Sequence, residues 1–240
     1  MAKDYSWIGK GKVFMGEWGS GALYPVGNAS ELSVSAEEET KTQIDFTSPG
    51  GGSRNSISRI TRINGSLKVY DLSPTHLARA VRGSIDTQAA TPVANETVTA
   101  YSGALAEFAK TPDLSQTITV VGYVLGTDYV LNAAGIEILE TGSIVDDTDL
   151  DVSYTPVASS IVQALTETAK EYRLVFAGVN EARSGKAGIL RVHRCTMSPV
   201  EGMSLIADDF AELSTTVELI NDPTKIGAGV SPYFTFDIEE

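Results

Sequence analysis

Few residues in this chain have types and spacing suited to chemistry. There are two histidines, His76 and His193, and one cysteine, Cys195. A catalytic triad or a zinc centre needs imidazoles or thiolates converging on one point, and so small a supply argues against both. Cys195 lies in an alternating apolar–polar run and reads as a small buried side chain; one cysteine forms no intrachain disulfide. Gly50-Gly-Gly-Ser-Arg54 has the glycines of a phosphate loop but lacks its Lys-Ser/Thr ending, and no helix pattern follows. Gly9-Lys-Gly-Lys12 fails on the same grounds. Among the acids, Glu37-Glu-Glu39 reads as a solvated strand end. Asp146, Asp147, Asp149 and Asp151 have calcium-loop chemistry without the glycine and terminal glutamate of an EF-hand. No set converges on a reaction class, so the expectation is no enzyme, no metal and no cofactor.

The positioning elements are strands. Glu31–Glu37 alternates Leu32, Val34 and Ala36 with Glu31, Ser33, Ser35 and Glu37. Ile60–Tyr70 puts Ile63, Leu67 and Val69 on one face and Arg62, Asn64, Ser66 and Lys68 on the other. Period-two alternation predicts an antiparallel sheet with one face on a core and one in water. The run between them, Thr47 to Ser56, is too long and glycine-rich for a tight hairpin turn and is expected to be a functional loop. A helix is predicted next, with Ser73 as its cap, Pro74 at the first position and Gly83 as its left-handed stop. Its apolar face would be Leu77, Ala80 and Val81.

From about residue 84 the texture changes. Ile85–Pro92 reads as turn, and a β-meander follows through strands at 116–125, 128–131, 135–139 and 150–154. The domain expectation is therefore a main β domain over 1–92 and 161–240, with a β-rich insertion over 93–160. The main domain resumes with a hairpin of Tyr172–Gly178 and Gly188–Cys195. Another alternating strand runs over Phe210–Leu219, with Leu213, Val217 and Leu219 inward and Glu212 and Glu218 outward. A last strand or arm covers 232–238. The fold class expected is mainly β.

Composition narrows the function classes. The net charge of −13, from 31 acidic and 18 basic residues, disfavours a nucleic-acid groove, which needs cationic patches. The N-terminus lacks the apolar run of a signal peptide. No stretch approaches the roughly 18 apolar residues of a membrane helix. Synthesis and folding in a cytoplasm are expected.

Beyond these local readings, the order of elements resembles the major tail proteins (tail tube proteins) of long-tailed, non-contractile bacteriophages. The matching segments are Gly27–Val34, Thr47–Gly52 with Asn55–Ile60, Asp71–Pro74, Lys170–Asn180 and Leu205–Phe210. They span most of 5–83 and 166–238, and 84–165 lies outside them. The resemblance implies a β-sandwich or barrel-like tail-tube fold with one flanking helix. It further implies a structural subunit, made in the host bacterial cytoplasm and incorporated in the virion, with other phage tail proteins as partners. Six copies would close into a ring, and rings would stack into a conduit through which DNA passes without specific binding.

On this reading Thr47, Ser48, Pro49, Gly50, Gly51, Gly52, Ser53 and Arg54 form an inter-ring loop. Glu31, Glu37, Arg62, Lys68, Glu212 and Glu218 are the candidate lumen-facing residues, whose carboxylates would repel phosphate. The alternative is a binding module, an adhesin or carbohydrate-binding β-sandwich. It would use Tyr101, Phe108, Tyr123 and Tyr129, although such residues in a strand-rich insert are more often core.

Overall fold

A computed structural model describes residues 5–47, 49–200 and 202–240. The fold is mainly β with one helix. The chain divides into two compact units, Met1–Ile85 with Val162–Glu240, and Asp86–Ile161. The second begins earlier than residue 93, because Ser84–Gln88 is a strand and not the turn expected there.

The larger unit is built on β1 (Gly9–Glu17), β2 (Tyr24–Pro25), β3 (Ala29–Ile44) and β4 (Ser53–Val69), then helix α1 (Pro74–Ala80). The inserted strands are β5 (Ser84–Gln88), β6 (Val93–Ala100), β7 (Leu105–Glu107), β8 (Thr119–Val120), β9 (Tyr129–Asn132), β10 (Gly135–Ile138), β11 (Thr148–Tyr154) and β12 (Ser159–Gln163). The chain then returns through β13 (Glu171–Asn180), β14 (Lys186–Met197), β15 (Leu213–Leu219) and β16 (Phe234–Ile238).

The main sheet is antiparallel in the order β2-β1-β13-β14-β15-β4-β3, with β16 also on β14. One edge of β14 is shared: Gly188–Val192 pairs with β16, and Cys195–Met197 pairs with β15. The sheet curls so that its two ends meet at one corner. The Val26 amide donates to the Val13 carbonyl on β1, and the Tyr70 amide, just past β4, donates to the Asn28 carbonyl. Gly27 turns the chain between them at φ +84°, with the Asp71 side chain where a Cβ would sit.

Inward residues of five strands fill one core. They include Val13 and Met15, Leu67 and Val69, Tyr172 and Leu174, Val192 and Cys195, and Val217 and Leu219. Strict alternation would not bury both Val192 and Cys195. They face inward together because Tyr172 pairs with Cys195 and Leu174 with Val192, so β14 carries an extra residue against Arg173.

The Ser73 hydroxyl caps α1, accepting from the His76 amide at 3.4 Å, and Pro74 opens it. Two details differ from expectation. Arg82, at φ +49°, takes the left-handed stop. Gly83 is required for another reason, because a Cβ there would lie 2.3 Å from the Gln163 carbonyl oxygen. The buried helix face is Ala78 and Ala80 rather than Leu77 and Val81, so small residues let the backbone lie close on the sheet.

The insertion is not a meander. It has two three-stranded sheets, β7-β10-β9 and β6-β11-β8, around a core that includes Ile136, Ile138, Leu150 and Val152. The expected strand over 116–125 shrinks to β8, because Gly122 and Gly126 turn the chain at φ +85° and +82°. Buried Asp128 ties the unit's turns together by accepting from the Val124 amide and from the Ser143 amide and hydroxyl. The Ser143 amide, then the Val124 amide and the Ser143 hydroxyl, hold its carboxyl below the usual range.

A folded value below the unfolded value of about 3.9 means that this stabilisation is complete above that pH. It is lost as pH falls through the folded value. Thermal unfolding of the insertion followed against pH should be flat near neutrality and fall below about pH 4. Asp128→Asn should make that fall shallower; an unchanged acid limb would refute the assignment.

Candidate assembly interface

Three strands bring the sequence-predicted polar residues onto one face. The register sets Glu31, Lys68 and Ser214 side by side, then Ser33, Ser66 and Thr216, then Ser35, Asn64 and Glu218, then Glu37 and Arg62. Five of the six candidate residues therefore share a surface. Glu212 lies one residue before β15, its carboxylate accepting from the Ser30 hydroxyl at 3.4 Å. The strand expected from Phe210 begins only at Leu213, because Phe210 and Ala211 have no pairing partner among the described residues.

The carboxylates of this face are engaged locally. Glu31 accepts from the Ser66 hydroxyl at 2.6 Å and pairs with Lys68 at 3.0 Å. The Ser66 hydrogen bond first, and then Lys68, hold its carboxyl below the ordinary range. Glu31 in turn raises the Lys68 ammonium. Glu37 accepts from the Asn64 side-chain Nδ2 at 2.8 Å and stands opposite Arg62. Three carboxylates, Glu31, Glu37 and Glu218, against two cations leave the face acidic but laced with hydrogen bonds.

The larger surprise is the length of β3 and β4. Their ladder continues beyond Glu37 to Ile44 and Ser53, so the hairpin is far longer than the segments 31–37 and 60–70. Ser53 and Arg54 belong to β4 and not to the loop, because the Ile44–Ser53 pair extends the ladder to them. The loop proper runs from Asp45 to Gly52, closed by the Asp45 amide donating to the Gly52 carbonyl. Asp45 accepts from the amide and hydroxyl of Thr47, and Gly50, Gly51 and Gly52 all have positive φ. Ser48 of the predicted loop lies outside the described residues.

Beyond Val34 this hairpin leaves the core. Residues 35–44 and 53–62 are exposed on both faces. An unpaired residue, Thr61, forms a bulge opposite Glu37 and Glu38 and adds local twist where the arm departs. Along the arm, one face carries Glu39, Arg59, Lys41 and Ile57; the other carries Ile60, Thr40, Ser58 and Ile44. Apolar side chains are left in water: Ile57 at 53%, Ile60 at 65% and Phe46 at 90% exposure. A second such stretch is the irregular segment before β15, where Ile206 is 99% exposed and Leu205 and Phe210 stand out beside it.

Strand edges are also open. β3 is the last strand of its sheet, and β1 has only the two-residue β2 on its far side, pairing Phe14 and Met15. Between β1 and β3 lies a cleft of about 670 Å³ lined by Val13, Leu32, Val34, Phe176 and Phe234, among others. Unpaired edges beside exposed apolar groups are the physical makings of strand addition.

The remaining candidates have structural surroundings. Cys195 is fully buried, its thiol pushed up to about 12 by burial. His76 Nδ1 lies 3.6 Å from the Asp71 carboxylate. In the acidic turn, Asp146 accepts from the Ser102 amide, Asp147 from the Tyr101 hydroxyl, Asp149 from Thr99 and Asp151 from Thr97. These carboxylates are thus spread along a ladder rather than gathered on a cation. Among the aromatics of the alternative reading, Phe108 and Tyr129 are core, Tyr123 packs against that core, and Tyr101 is exposed. No helix among the described residues is long and apolar enough to cross a membrane.

No curated protein matches the chain. A family model matches residues 6–237, both compact units together, so the chain belongs to the family described as "Protein of unknown function UCP028589".

Proposed function

We propose that this chain is a structural subunit that adds its β3–β4 arm to copies of itself, forming closed rings that stack into a tube. The observation carrying the proposal is the arm: a two-stranded ribbon with no buried face over 35–44 and 53–62. An isolated ribbon is marginal in water, and its open edges template further pairing. A chain that maintains such an element is best accounted for by a working state in which other strands cover it. Head-to-tail contact between identical subunits makes a ring when the rotation closes. The resemblance to tail tube proteins of long-tailed, non-contractile phages names the same assembly, with the virion as its place.

In that assembly the face of Glu31, Glu37, Glu218, Arg62 and Lys68 is the candidate bore. Its carboxylates repel phosphate while its serines and Asn64 keep it wetted. Negative-stain microscopy of concentrated protein across a salt series tests the proposal. Rings or tubes are expected. Particles that stay monomeric at every salt concentration would overturn it.

A further inference from the structure

The bulge in β14 has a consequence on the outer face of the sheet. One residue of β13, Arg173, stands against two of β14, His193 and Arg194. That irregularity turns the His193 ring into an open pocket of about 430 Å³ with Trp18, Arg173, Asp222 and Lys225. His193 is buried to 8% exposure and Asp222 to 4%, so these are built elements of the fold.

The charged groups in and beside this pocket differ in what they already bind. Arg194 is fully used: it grips the Glu171 carboxylate with two nitrogens, at 2.8 and 2.6 Å, donates to the Asn221 carbonyl and lies over the Trp18 ring at 4.5 Å. Asp222 is used as well. It accepts from the Thr224 amide at 3.0 Å and the Thr224 hydroxyl at 2.8 Å, beside Trp18. Burial pushes its carboxyl up, but these bonds bring it below the usual range. Arg173 and Lys225 have no ion-pair partner among the described residues. Lys225 acts on the Asp222 carboxylate across the pocket, so Arg173 and Lys225 against the one carboxylate leave the lining with an excess of positive charge around a buried imidazole.

We propose that this pocket binds an oxyanion, a phosphate or a carboxylate, held between Arg173, Lys225 and His193 against the Trp18 wall. A guanidinium presents paired N–H groups to two oxygens, and an ammonium adds a point charge. The protonated imidazole supplies a third donor. Free phosphate and an acidic side chain of a second copy share this chemistry. The site is independent of the tube reading, since none of its residues lies on the arm.

Two histidines give two sets of ring signals, with His76 as an internal control. Without ligand, burial first, then Lys225, Arg173 and Arg191, hold the His193 imidazole below its usual value, against the opposite pull of Asp222. A bound oxyanion favours the charged ring, so the His193 titration moves upward. The experiment records both rings by NMR against pH in sodium phosphate and in sodium chloride of equal ionic strength.

The expected result is that His193 titrates at higher pH in phosphate while His76 does not move. Arg173→Gln or Lys225→Gln should each weaken the phosphate dependence about tenfold or more. A dilution series without phosphate separates the sources. Movement of His193 with added phosphate assigns a free oxyanion, and movement with protein concentration alone assigns a carboxylate of a second copy. If neither moves the His193 ring, the proposal is overturned.

Discussion

Ile57→Asp combined with Ile60→Asp is expected to abolish self-assembly while leaving the core of the larger unit as stable as before. The two side chains lie on opposite faces of the β3–β4 arm and are more than half exposed in the single subunit. Covering each in an interface contributes about 2 kcal/mol. Losing both weakens association by about 4 kcal/mol, on the order of a thousandfold, before the cost of burying two carboxylates is counted. Within the subunit neither residue touches the core cluster. Their replacement should therefore change the stability of the core by no more than about 0.5 kcal/mol, as is usual for exposed sites.

Analytical ultracentrifugation of the double variant beside the parent measures the first effect, and thermal unfolding measures the second. Assembly of the variant at the parent's concentration would show that the arm is not the contact. A large loss of stability would show that the arm belongs to the core.

The second large effect concerns the two cores. Leu174→Ala should destabilise the larger unit, and Ile136→Ala the insertion, each by about 2–5 kcal/mol. Leu174 sits at 1% exposure in the middle of β13, bonded on both sides by β1 and β14. Ile136 is fully buried on β10 between β7 and β9. The cavity left in either place is lined by strands that the ladder prevents from collapsing. Because the clusters are built from different residues, each substitution should lower one unfolding transition and leave the other in place.

The shift should be larger for the insertion, since a given free-energy loss moves the midpoint of a smaller cooperative unit further. A change of 1 kcal/mol moves a domain of under a hundred residues by roughly 4–8 °C and a larger one by about half that. Differential scanning calorimetry separates the outcomes. One transition, moved equally by both variants, would mean that the units fold as one.

Particular residues show what could be read without coordinates. Leu32, Val34, Leu67, Val69, Val217 and Leu219 announced a half-buried antiparallel sheet by period two, and their partners Glu31, Ser33, Ser66 and Lys68 fall on the opposite face. The capped start of α1 was legible because Ser73 and Pro74 act locally. The stop was misplaced by one residue: Arg82 takes the positive φ and the Gly83 amide closes back on the Ala78 carbonyl, while the glycine at 83 answers to the distant Gln163 carbonyl. In the insertion, one strand was expected over 116–125, but it is cut to Thr119–Val120 by the glycine turn at 122, with a second turn at 126 just beyond.

The arm was missed for a different reason. Hydrophobic periodicity reports a strand only when one face is buried, and residues 35–44 and 53–62 bury neither face in the single subunit. Thr40, Thr42, Ile44 and Ile57 are good strand formers, the one local signal that was present. The pocket around His193 was equally invisible, since a single extra residue in β14 turns that ring toward Arg173 across the ladder.

The amino-acid order by itself determined that this protein is mainly β, with one capped helix and one polar-faced sheet, because alternation and capping are written in near neighbours. Only the tertiary structure decided how far the hairpin extends, where the chain closes its corner at Gly27 and which cations stand together. Those outcomes depend on register between strands remote in sequence. A shift of one residue in that register exchanges the buried and exposed faces.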